Sequence, residues 1–78
     1  MIERDIRDLL LAINQLQAKN NINTTLKIRY NYDRRDKRIK TSYDITVWEN
    51  NHPEETSVYS KLQVLSTLSL ILEDLRKS

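Results

Sequence analysis

Apolar residues recur with a helical period at both ends of this chain and with a period of two between them, and that change of period leaves few folds open. From residue 2 to 19, Ile2, Ile6, Leu9, Leu10, Ile13 and Leu16 fall within one arc about 120° wide at 100° per residue, the stripe of an amphipathic helix. Glu3 and Asp5 suit its N-terminus. Asn20 and Asn21 predict its end, because asparagine tolerates the left-handed conformation of a C-terminal cap. Leu11 points opposite the stripe. From Thr24 onward Leu26, Ile28, Tyr30 and Tyr32 alternate with Lys27, Arg29 and Asn31, the pattern of a half-buried strand. Asp33 to Arg38 is polar throughout and predicts a turn. Beyond it Ile39, Thr41, Tyr43, Ile45 and Val47 form a second inward row, with Lys40, Ser42, Asp44, Thr46 and Trp48 outward. Pairing 32 with 39, 30 with 41 and 28 with 43 keeps both apolar rows on one face of a hairpin. The same register sets Lys27 opposite Asp44 as a favourable cross-strand pair.

Asn50-Asn51-His52-Pro53 reads as a loop, since proline lacks the N–H that a ladder uses. Thr56 to Tyr59 reads either as a short third strand or as an irregular lead-in. Ser60 is placed to cap the last helix, with Gln63 where a capping box has its Glu or Gln. Val64, Leu65, Leu68, Ile71, Leu72 and Leu75 share one arc of that helix; Leu70 lies well outside it and Leu62 near its edge. The expected architecture over residues 1–78 is one small two-layer α+β domain. An N-terminal helix and a C-terminal helix pack on one face of an antiparallel sheet of two to three strands.

Several function classes are disfavoured by what the chain lacks. It has no cysteine, which removes disulfides, thiol catalysis and cysteine-ligated zinc. One histidine, His52, cannot by itself build a metal site or a histidine-based triad, and with no glycine there is no phosphate-cradling loop of the usual kind. The carboxylate pairs Glu54-Glu55 and Glu73-Asp74 are adjacent, so neither is poised on one helix face. No apolar run approaches the roughly 18 residues of a membrane-spanning helix, and Glu3 and Asp5 interrupt any signal-peptide layout. The expectation is a protein of the bacterial cytoplasm or of a phage-infected host cell, without catalytic residues, cofactor or metal.

Charge is unevenly laid out. Residues 27–40 carry seven cations against Asp33 and Asp36, a local +5, whereas residues 41–60 carry −4 and no lysine or arginine. The whole chain is only +2. Potential rather than net charge guides association, so the candidate partner-binding residues are Arg29, Arg34, Arg35, Lys37, Arg38 and Lys40 on the hairpin, with Trp48 as an aromatic anchor on the outer sheet face. The plainer readings are a solvated turn that keeps the hairpin from aggregating, and a Trp48 that covers a sheet edge or packs under the 50–60 loop. The acidic 44–55 segment is a second candidate surface. Leu11, Leu62 and Leu70 form a candidate homodimer face.

Two partner classes fit this surface. A protein partner is favoured, because arginine pairs carboxylates bidentately and four of the seven cations are arginine. A host or regulatory protein would then be inhibited by occlusion of a site. The alternative is nucleic acid, whose phosphates the hairpin would track. The element order resembles the double-stranded-RNA-binding domain, in which the last helix opens with a phosphate-gripping lysine cluster; of that cluster only Lys61 is present here. Tyr30, Tyr32 and Tyr43 carry inward parity, which leaves Trp48 alone for base stacking. In its richness in Ile, Lys and Asn, the chain is similar in style to small proteins of phages and mobile elements, anti-CRISPR and other anti-defence inhibitors among them.

Overall fold

A computed structural model describes residues 2–77. The elements follow in the order α1 (Ile2–Gln17), a 3-10 turn (Ala18–Asn20), β1 (Ile22–Asp33), β2 (Arg38–Glu49), β3 (His52–Val58) and α2 (Lys61–Lys77). The three strands form one antiparallel sheet in the order β1-β2-β3, with β2 central. The helices pack on each other and on one face of the sheet, joined there by a core of Ile6, Ile13, Tyr43, Ile45, Val64, Leu68 and Leu72.

Local chemistry sets the boundaries. The α-helix ends at Gln17, and Asn21 closes the 3-10 turn that follows it in the left-handed conformation with φ 58°, its N–H donating to the carbonyl of Ala18. Ser60 Oγ accepts from the N–H of Gln63 at 3.2 Å, while Gln63 Oε1 accepts from the N–H of Tyr59 at 2.9 Å. That is the reciprocal capping predicted for α2, shifted by one residue on its return arm. The β1–β2 register is the predicted one, with Tyr32 opposite Ile39, Tyr30 opposite Thr41 and Ile28 opposite Tyr43.

The segment from Asn50 to Tyr59 differs from expectation. Only Asn50 and Asn51 form the turn, both at positive φ (52° and 66°), and β3 already begins at His52. Two consecutive left-handed residues make the tight hairpin turn whose twist matches that of the flanking strands. Pro53 is tolerated in β3 for a reason legible in the backbone bonding. Asn14 of α1 donates to the carbonyl of Thr24 and accepts from its N–H, both at 2.9 Å, so both polar groups of Thr24 point away from β2. Carried across the sheet by the alternation of an antiparallel ladder, this parity turns Pro53, Glu55 and Ser57 toward the free edge of β3. The N–H that Pro53 lacks is one the ladder never used.

Two further differences follow from element lengths and sheet position. The sixteen residues of α1 span about 24 Å, whereas the twelve of β1 span about 40 Å. The far third of the β1–β2 hairpin therefore projects past the helices as a bare two-stranded arm. Ile28, Tyr30, Tyr32 and Ile39, all expected inward, lie on the helix-side face yet are exposed, Tyr30 by 71% and Tyr32 by 61%. Ile2 and Leu16, at the ends of the helical stripe, are exposed too, and Gln17 is buried instead, its amide oxygen accepting from the Thr24 hydroxyl at 2.8 Å. Conversely Ser42, Asp44 and Thr46, expected outward, are buried, because a central strand is shielded on both sides by its neighbours' side chains.

Candidate functional site

The arm carries the cations. Its turn, residues 34–37, is built by Asp33, whose Oδ1 accepts from the N–H groups of Arg35 (2.8 Å) and Asp36 (3.3 Å). Lys37 completes it at φ 52°, the left-handed region, in a chain that has no glycine to offer there. Lys40 reaches both Asp33 (2.6 Å) and Asp36 (3.0 Å), and Arg38 lies 3.8 Å from Asp36. The Lys40 ammonium first, and then the N–H groups of Asp36 and Arg35, hold the Asp33 carboxyl below the usual carboxylate range; Asp33 and Asp36 in turn raise Lys40. Both carboxylates of the turn are thus committed to cations behind it. Arg34, Arg35 and Lys37 have no ion pair among the described residues, and Arg34 and Arg35 line a shallow open depression with Asn31, Tyr32, Asp33 and Lys40.

Arg29 is drawn away from this group. Its Nε lies 2.8 Å from Asp44, whose other oxygen accepts from Ser57 Oγ at 2.8 Å. The carboxylate is buried and the guanidinium half-exposed. Lys27 stands opposite Asp44 in the ladder as predicted, but the ion pair forms on the diagonal, to Arg29. Ser42 Oγ, in the same outer row, is buried with no partner among the described residues.

Trp48 does not join the basic turn. It pairs with Asn23 and Pro53 at the opposite end of the sheet, ten residues along β1 from Asp33 and so about 34 Å away. Glu49, Glu54 and Glu55 cluster at that same end, so the predicted separation of charge is a separation along the sheet's long axis. Of the candidate residues, then, the structure gathers Arg34, Arg35, Lys37, Arg38 and Lys40 and sets Arg29 and Trp48 apart. Leu11, Leu62 and Leu70 are exposed, Leu11 on α1 and the other two on α2. Ile28, Tyr30, Tyr32 and Ile39 are surface residues that alternation alone does not reveal; comparing strand length with helix length does.

No helix among the described residues is long and apolar enough to cross a membrane. Comparisons with protein-family models, with curated proteins and with solved structures find no match to this chain.

Proposed function

We propose that this chain is a non-catalytic regulator of the bacterial cytoplasm or of a phage-infected cell that docks its arm onto an acidic surface of a host protein and acts by occluding a site. The observation that carries this reading is the state of the turn. Three cations, Arg34, Arg35 and Lys37, stand without an ion pair among the described residues at the end of a projecting ribbon, while the nearby carboxylates are spent on Lys40 and Arg38. Guanidinium groups without an internal partner are free to form the bidentate carboxylate pairs that interfaces favour. Ile39, exposed beside the turn, supplies apolar contact. The cations would govern the rate of encounter, and the packed apolar contact the residence time.

Exposed Tyr30 and Tyr32 also support a second reading, since two rings beside a basic turn resemble the stacking platforms that bind single-stranded nucleic acid. One experiment separates the two. The immobilised protein and its Arg34→Glu/Arg35→Glu variant are exposed to lysate of a candidate bacterial host, and the captured protein is purified and titrated against both. Duplex and single-stranded DNA and RNA are titrated in parallel. The protein reading expects one dominant acidic partner, bound at least about tenfold more weakly by the variant. Capture unchanged by the reversal would refute it. Nucleic-acid retention with a log–log salt slope near −2 to −3, the value for three phosphates neutralised, would put the second reading in its place.

A further inference from the structure

The two edges of the sheet are unequal. Along β3 the outward positions are Pro53, Glu55 and Ser57, and a proline with a charged neighbour blocks strand addition. Along β1 the side chain of Asn14 closes the edge at Thr24, and no other described residue closes it further on. The same parity turns the N–H and C=O groups of Leu26, Ile28, Tyr30 and Tyr32 outward with no partner among the described residues. The register runs without a bulge, the segment holds no proline, and Ile28, Tyr30 and Tyr32 above it are exposed. A long, flat, apolar edge of this kind is a template for another strand.

We infer that this edge pairs with the same edge of a second copy, antiparallel about a two-fold axis at Tyr30. Charge selects both the occupant and the register. With the axis at Ile28, Lys27 would oppose the second copy's Arg29; with the axis at Arg29, two guanidinium groups would face each other. Like charges directly opposite are destabilising. With the axis at Tyr30, Lys27, which has no ion pair among the described residues, opposes the second copy's Asp33, a carboxylate it would share with Lys40, and Arg29 opposes Asn31, so no like charges meet. On the helix-side face Tyr30 meets its own counterpart, and Ile28 meets Tyr32 twice, the aromatic and β-branched pairing that sheets favour. Moving the axis on to Asn31 leaves two hydrogen-bonded residue pairs in place of three. Leu11, three residues before Asn14 on α1, belongs to the helix side above this edge; Leu62 and Leu70 stand on α2, which packs over β2, and take no part.

The interface is small. Two tyrosines and an isoleucine per copy cover on the order of 1,000 Å² in total, below the roughly 1,200–2,000 Å² of a standard interface, so a weak dimer is expected. The basic turns lie outside the paired segment, one beyond each end of it and roughly 35–40 Å apart.

Sedimentation velocity across the micromolar range tests this, together with three kinds of variant. Ile28→Pro removes an N–H that faces the edge and that the β1–β2 ladder does not use; the variant is expected to keep its circular dichroism and sediment as a monomer. Tyr32→Glu, at an exposed position, is expected to do the same and decides the matter should the proline disturb the fold. The chain has no cysteine, so single cysteines report the register: Tyr30→Cys should oxidise to a covalent dimer, its Cα atoms about 5.5 Å apart across the axis, and Ile28→Cys should not. A wild-type monomer throughout, dimers undiminished by Ile28→Pro and Tyr32→Glu, or equal cross-linking at 28 and 30 would overturn the inference.

Discussion

Replacing Lys37 with glycine should stabilise the protein and weaken its binding to the partner at once. Lys37 sits at φ 52°, where a β-carbon crowds the backbone at a cost of about 1–2 kcal/mol. Glycine removes that cost but gives back about 0.5–1 kcal/mol through the greater freedom of its unfolded chain, for a net gain of about 0.5–1 kcal/mol. Lys37 has no ion pair among the described residues, so no attraction is lost from the fold. In a domain of this size the gain corresponds to a rise in Tm of about 2–8 °C. Thermal and urea unfolding measure it, and Lys37→Asn serves as a control that keeps tolerance of the left-handed region while deleting the charge. Both variants should lose partner affinity, since a backbone-strained residue without a structural task is explained by its charge. Unchanged or lowered stability in Lys37→Gly would refute the reasoning, because it would mean that the lysine supports the turn through an interaction absent from the account.

Asn14→Ala should cost about 2 kcal/mol in urea unfolding, as it strips both polar groups of Thr24 and the Leu10 carbonyl of their side-chain partner. Arg29→Ala should cost about 1–2 kcal/mol, the half-exposed guanidinium tempering the loss, and a double-mutant cycle with Asp44→Asn should show coupling near 1 kcal/mol. On acidification the turn should hold until the pH falls below the usual carboxylate range. The folded-state pKa of Asp33 is lowered, so its contribution is complete above the unfolded value and disappears only as pH falls through the lower folded one. Amide shifts of Arg35 and Asp36 followed by NMR should report that midpoint, and Asp33→Asn should abolish it.

How far the structure was legible in the sequence depended on what alternation encodes. Period-two parity in two strands joined by a polar run gives the hairpin register residue by residue, because a one-residue slip would turn Tyr43 and Ile45 out of the core. Parity assigns a face and says nothing of cover. Tyr30 and Tyr32 lie on the predicted face but beyond the reach of α1, and Asp44 lies on the predicted outer face yet is shielded by β1 and β3. Pro53 hid the start of β3, since whether a proline breaks a strand depends on which way its missing N–H would point, and the bonding of Thr24 to Asn14 in another element fixes that. The cations of the turn were legible as composition; which of them are neutralised was not. That required the fold of the turn, where Asp33 and Asp36 curl back onto Lys40 and Arg38 and leave Arg34 and Arg35 outward.

The most direct test of the docking claim is an amide NMR titration of the isotopically labelled protein with its captured partner. The account predicts that the resonances of Arg34 to Ile39 shift or broaden first and most. Changes centred on Trp48 and the acidic end, or on the exposed face of α2 around Leu62 and Leu70, with the turn left undisturbed, would contradict it.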